Sequence, residues 1–380
     1  MKKLLPVLFL IVLLSCGEKG DAEKAESKNI LEDLTYSVDT VVVDSGDELL
    51  VLGSNYLGYW SLSSDLSKMY LFTEKGNSLQ EIDLDHLKVI NRYPFEVEGP
   101  DGTGTRVMGI HELNNHQFVF STYNGTYIFD KSGKKNIDYR LKSSGVEGID
   151  LDDDYTLNHQ AKIYGKGENL YVIRETPLES QLLSVDLKEM KADTFSIAKL
   201  SKTREFSTML LLPGNMRFYS QSIKIQYLRD QVLVFSPVTN TIYLFDPRKR
   251  QIMEKSFVHR LVPLEKKWED YPNEANSLEE FNAIMTAVEV QIDYGRFYWD
   301  DTRELYFRLS QKGKGIASPE QKRNYETFIH AYNVNWELVG ESKLENLEER
   351  IYDYFLKNGK LYSYVNVEDE LGFAVFSFDF

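Results

Sequence analysis

Six histidines, at positions 86, 111, 116, 159, 259 and 330, are the natural first candidates for metal ligands or general bases. No two are four residues apart, the spacing that puts two imidazoles on one helix face, and no His-x-His pair occurs. No metal is therefore expected, and most of these histidines should lie in loops or on the surface. Asp150, Asp152, Asp153 and Asp154 begin like a calcium loop, but Tyr155 stands where the turn glycine belongs and Ala161 where the closing bidentate acid belongs. The stretch reads as a solvated acidic loop. Glu98-Gly99-Pro100-Asp101-Gly102-Thr103-Gly104 could cradle an anion with backbone amides, yet no lysine follows at the P-loop spacing, so a connection between strands is the better reading. Ser196 and Lys199 form a lone Ser-x-x-Lys with no Lys-Thr-Gly companion, and no Gly-x-Ser-x-Gly elbow exists. Paired carboxylates could serve a glycosidase, but 59 acids make some pairing in space inevitable. Trp268, Tyr298, Trp299 and Arg308 could stack on a sugar or a partner surface, since aromatics and arginine favour binding hot spots. Their alternative role is as core aromatics with one internal ion pair. No cofactor motif is present.

The one cysteine, Cys16, follows Lys2-Lys3, an apolar run Leu4 to Leu14, and Ser15. That run is too short to span a bilayer as a helix and reads as a signal peptide. Leu13-Leu14-Ser15-Cys16 resembles the lipobox of bacterial lipoproteins, which implies cleavage before Cys16 and a lipid anchor on its sulfur. Gly17 in the second mature position resembles the pattern of outer-membrane lipoproteins, facing either the periplasm or the cell surface. The charged segment from Gly17 to Lys28 has no aromatic or branched apolar residue and should be a flexible tether. The organisation expected is a signal peptide over 1–15, a disordered tether over 16–34, and one folded body over 35–380.

A formal charge of −15 argues against nucleic acid, whose binders need a basic footprint. It also argues against the body lying flat on an anionic membrane. With a single cysteine no internal disulfide can form, so burial alone must hold the fold.

Aromatics make up 13% of the chain, a composition suited to half-buried sheets. The clearest signal is Gln117 to Tyr123, then Asn124-Gly125, then Thr126 to Asp130: a hairpin around a primed turn. The same grammar of apolar strand, turn, and second apolar strand ending in an acid recurs, with register marks at Asp83, Asp130, Asp186, Asp246, Asn333 and Asp379. Most intervals are roughly 45 to 60 residues, close to the period of a four-stranded propeller blade. The expectation is an all-β, six-bladed β-propeller. A seventh blade could lie in 36–60, although the strand around Thr40 to Val43 could instead complete the last blade. A multi-sheet β-sandwich is the alternative.

The long interval between Asp246 and Asn333 holds Ser277-Leu278-Glu279-Glu280, a capping box, with Phe281, Ile284, Met285 and Val288 on one stripe behind it. A helix over 277–290, inside an insertion of about 265–295, should cover a blade edge or the central channel.

With the lipobox, the Glu98–Gly102 loop and the segment Tyr294 to Asp301 leading into Tyr306-Phe307-Arg308, the chain resembles uncharacterised Gram-negative lipoproteins with a six- or seven-bladed propeller. That resemblance implies architecture and address without chemistry. Function then divides into three classes: a binding module for an extracytoplasmic protein, peptide or glycan, a glycan-active hydrolase or lyase, and a structural subunit of an envelope complex.

Overall fold

The computed structural model describes residues 28–380, apart from 49, 51, 53–55, 74–75, 114–116, 123–124, 140, 143–144, 150–160, 165–166, 270 and 316–322. Cys16, His116, Asn124, His159 and the Asp150–Asp154 cluster lie outside the described residues.

Six four-stranded antiparallel sheets follow one another along the chain. They are numbered here by their first strands: Tyr59–Leu62 (sheet 1), Val107–Leu113 (sheet 2), Lys162–Tyr164 (sheet 3), Lys224–Leu228 (sheet 4), Ile292–Asp300 (sheet 5) and Tyr354–Lys357 (sheet 6). The fourth strand of sheet 6 comes from the other end of the chain: Thr35–Val42 pairs with Glu370–Asp379 from Thr35 opposite Asp379 to Val42 opposite Gly372. Apolar clusters join each sheet to the next, and one joins sheet 6 back to sheet 1 through Phe355, Phe373, Met69 and Leu71. The fold is a β-propeller.

The sequence explains why the middle strands are apolar on both faces. Gln231–Phe235 and Ile242–Asp246 are sandwiched between neighbouring sheets and bury nearly every residue, whereas the outer strand Gln251–Lys255 is mostly exposed. The recurring acid has a local cause. Asp83 Oδ1 accepts from the amides of Asp85 and His86, Asp186 Oδ1 from Lys188 and Glu189, Asp246 Oδ1 from Arg248 and Lys249, and Asn333 Oδ1 from Asn335 and Glu337. Each side chain closes the turn into the last strand of its sheet. The turns then pass through left-handed backbone, at Leu87, Met190, Arg250 and Trp336.

A three-stranded sheet is added to these six. Ser207–Leu212 pairs antiparallel with Asn215–Ser220 and parallel with Glu274–Ala275, so the insertion is assembled from two separate stretches of chain. The helix α1 spans Leu278–Glu289. Ser277 Oγ accepts from the Glu280 amide at 3.1 Å, and Glu280 reaches back to the amide of Asn276, not to that of Ser277. Phe281 and Ile284 pack on Leu210 and Ala275, so the apolar stripe closes over the three-stranded sheet and not over the channel.

The boundary expected at residue 35 is corrected too. The Ile30 amide donates to Val339 O, Asn29 Nδ2 donates to Glu341 O, and Leu31 is fully buried in the cluster between sheets 5 and 6. One apolar side chain and two backbone partners dock a stretch whose polar composition reads as tether.

Candidate functional site

The first strand of each of the six sheets contributes wall to one central cavity of about 1410 Å³. Inner strands mix polar and apolar residues because one edge of each faces open space and not a neighbouring strand. Tyr164 and Tyr227 stack at 5.3 Å on adjacent inner strands, and Trp60 and Tyr298 add two further aromatic faces.

The wall carries six acids and five lysines or arginines, some of them paired and some not. Asp353 accepts from the Leu57 amide at 2.8 Å and from Trp60 Nε1 at 3.2 Å. Asp293 is held between Lys266 at 2.7 Å and Arg350 at 2.9 Å. Lys162 and Arg296 line the same cavity, with Lys224 at the start of the sheet 4 inner strand, and none of the three has a carboxylate within ion-pair distance among the described residues. Burial lowers the Lys162 ammonium to about 8, helped by repulsion from Arg296 and Lys224. Lys224 is lowered for the same two reasons, burial and Arg296. His111 sits edge-on to Tyr164 at 4.7 Å and is driven down to about 3 by burial and by Lys162. Burial raises the phenols of Tyr164 and Tyr298 to about 12, so both stay neutral hydrogen-bonding groups.

A second polar group lies within sheet 5. Arg308, His330 and Glu341 are directly opposite one another on three adjacent strands. Glu341 Oε2 lies 3.1 Å from His259 Nδ1 and 3.4 Å from His330 Nδ1, and Oε1 accepts from the Arg260 amide at 2.6 Å. Burial alone would raise the Glu341 carboxyl, but those two imidazoles and that amide outweigh it and hold it far below the usual range. His330 is driven down to about 4, first by burial. Among the described residues, this is the one trio whose ligating atoms come within 4.8 Å of one another. The buried Arg308 cation acts on both imidazoles, opposing further positive charge there.

The four residues singled out by type are not brought together as a set. Tyr298 and Trp299 line the cavity, with the Arg229 guanidinium 3.8 Å over the Trp299 ring. Arg308 is fully buried behind that wall. It makes no ion pair among the described residues, which corrects the internal pair considered above. Its Nε donates to Gly295 O at 2.9 Å, its Nη1 donates to Asn240 O, and its guanidinium faces Tyr294 and Phe297. Trp268 packs on Phe206 and Tyr271 beside α1, away from the cavity. Of the four described histidines, His86 is exposed in a turn and His259 is buried in an irregular segment, whereas His111 and His330 sit on strands that face the interior. Ser196 and Lys199 are tied to separate acids, Glu179 and Glu254, and form no dyad. The Glu98–Gly104 loop is a packed turn in which a Cβ on Gly102 would meet Val97 O at 2.6 Å.

A family model described as a domain of unknown function, DUF4221, matches residues 27–343. The chain belongs to the DUF4221 family. A crystal structure of another DUF4221 member, from Bacteroides vulgatus, is similar with a TM-score of 0.58 at 14% identity, covering 91% of this chain and 98% of that one. The β-propeller domain of Myceliophteria thermophila Cps50 (Swd1) has a TM-score of 0.40 at 8% identity over 90% of this chain and 99% of that one. A luciferin-regenerating enzyme has a TM-score of 0.43 at 10% identity over 91% and 96%. No curated protein matches the chain.

The cations were missed by sequence reasoning because Lys162, Lys224 and Arg296 share no local motif. The one signal available was their place: each lies on the first strand of its repeat, the position the blade grammar assigns to the channel wall.

Proposed function

We propose that this DUF4221 protein is a lipid-tethered, extracytoplasmic binding module, built as a six-bladed propeller whose central channel holds the ligand. The observation that carries this reading is the channel itself: an open, aromatic-walled cavity of about 1410 Å³ in which Lys162 and Arg296 have no carboxylate within ion-pair distance among the described residues. The size exceeds the roughly 300–1,000 Å³ common for pockets that enclose one drug-sized molecule. Nucleic acid is a poor candidate for a body of charge −15. The tether rests on the lipobox-like Leu13–Cys16. Incorporation of labelled palmitate that disappears in Cys16→Ser would support it, and incorporation that persists would refute it.

The channel reading is tested by screening glycans and peptides against the full chain and against Gly109→Phe. A Cβ on Gly109 meets only Lys162 Nζ, at 3.5 Å, so the larger side chain would fill channel space and not core. Binding abolished by this change supports the channel, and binding that survives it rejects the channel.

One observation favours a protein partner in addition. Leu211, Met216 and Phe218 on the inserted hairpin are each more than half exposed, an apolar group of the kind found at contact surfaces. Pull-down from detergent-solubilised membranes that is lost in Phe218→Ser would support an envelope complex, and a partner retained by that variant would place the contact elsewhere.

A further inference from the structure

We propose that the channel takes a short acidic oligosaccharide, its carboxylate or sulfate groups held by Lys162, Lys224 and Arg296 and its ring faces lying against the channel tyrosines. This rests on the channel being the ligand site and adds the class of ligand.

Three observations converge on an anion. First, the cations are unpaired among the described residues, in a chain with fifteen more acids than bases, where carboxylate partners are abundant and surface lysines elsewhere have found them, as Lys199 with Glu254 and Lys343 with Glu326 have. Second, they come from three separate sheets, 3, 4 and 5, and act on one another across the cavity, so the folded chain itself brings like charges together. Mutual repulsion of this kind is relieved by a bound anion. Third, two acids of the wall are already engaged, Asp353 by a backbone amide and an indole and Asp293 by two cations, and no carboxylate among the described residues comes within ion-pair distance of Lys162, Lys224 or Arg296.

Two further observations point to a sugar of limited length. The stacked Tyr164–Tyr227 pair and Tyr298 present flat faces beside the cations, which suits pyranose rings carrying anionic substituents. The net charge of the body repels long polyanions, so a chain of a few sugars that fits within the cavity is favoured over a polymer lying on the surface.

The test is calorimetric titration of the full chain in detergent with a galacturonate trisaccharide, its uncharged galactose counterpart and inorganic sulfate, at low and high salt. The acidic trisaccharide should bind at least about tenfold more tightly than the neutral one, and its affinity should fall with salt. Lys162→Gln/Arg296→Gln should cost at least about tenfold in that affinity, while a melt shows the variant folded and no less stable. Equal binding of both trisaccharides, blocked by Gly109→Phe, would overturn the acidic class and leave the channel reading intact. Sulfate binding as tightly as the acidic trisaccharide would overturn the role given to the sugar rings. Silence from every probe, including the glycan and peptide screen, would overturn both readings.

Discussion

Two groups of polar residues occupy the middle of this molecule, and they differ in what satisfies them. In sheet 5, Glu341 is ringed by His259, His330 and the Arg260 amide, with Arg308 beyond His330, and the side chains of Glu341, both histidines and Arg308 are buried. In the channel, Lys162 and Arg296 face open space, with Lys224 on a neighbouring inner strand, and none of the three has a counter-ion among the described residues. A sealed carboxylate among donors holds strands together, because water cannot replace a partner that is lost. Cations gathered at an open wall do nothing for folding and lower it through their repulsion, so their arrangement has to be explained by something that arrives from outside. The first group reads as structure and the second as function.

The sharpest way to break this contrast is Glu341→Gln. Removing the one carboxylate takes the charged acceptor from His259, His330 and the Arg260 amide, and unfolding in urea should show a loss of about 3 kcal/mol. Affinity for a channel ligand should be unchanged in the folded fraction. Next in size is Lys162→Gln/Arg296→Gln, where the expected tenfold loss of affinity corresponds to about 1.4 kcal/mol and the melting temperature holds or rises. Exchange of these two phenotypes would reverse the assignment of structure and function.

The two regions also answer pH differently. His330 has a folded value of about 4, below the ordinary 6.5, so the unfolded chain takes up protons first. Its contribution is fully present above pH 6.5 and is lost as pH falls toward 4, which a series of thermal melts would show. Lys162 is lowered to about 8, so its repulsion weighs on the fold below that pH and is relieved as pH rises toward its ordinary 10.5. Binding of an anion runs the other way: affinity should decline as pH rises through about 8, and titrations across that range would detect it. The smallest expected effect is a baseline for both regions. Ser277→Ala removes only the α1 cap and should cost about 1 kcal/mol in unfolding while leaving channel binding untouched.

Legibility in the sequence followed the range of the interactions involved. The recurring Asp83, Asp130, Asp186, Asp246 and Asn333 could be read because each acts within its own turn, a few residues away. Ser277 could be read for the same reason. The hairpin Ser207–Leu212 with Asn215–Ser220 escaped because its third strand, Glu274–Ala275, comes from a distant part of the chain. Asn29–Leu34 reads as tether, since the partners that secure it, the apolar cluster around Leu31 and Leu34 and the carbonyls of Val339 and Glu341, lie about 300 residues away in the chain. The candidate site was the least legible part. Tyr298 and Trp299 were identifiable as aromatics near an irregular segment, but Lys162, Lys224 and Arg296 become neighbours only when three sheets meet around an axis. Trp268 and Arg308 were chosen by residue type, and type does not reveal whether a side chain faces a cavity or a neighbouring sheet.

The claim that unpaired cations at the channel wall mark the functional site is tested most directly by a crystal structure of the full chain with an acidic trisaccharide bound. The expected result is the ligand inside the channel, its acidic groups within hydrogen-bond distance of Lys162 or Arg296 and Glu341 undisturbed. A ligand seated on the outer strands or the inserted hairpin, with the channel cations still unpaired, would contradict it.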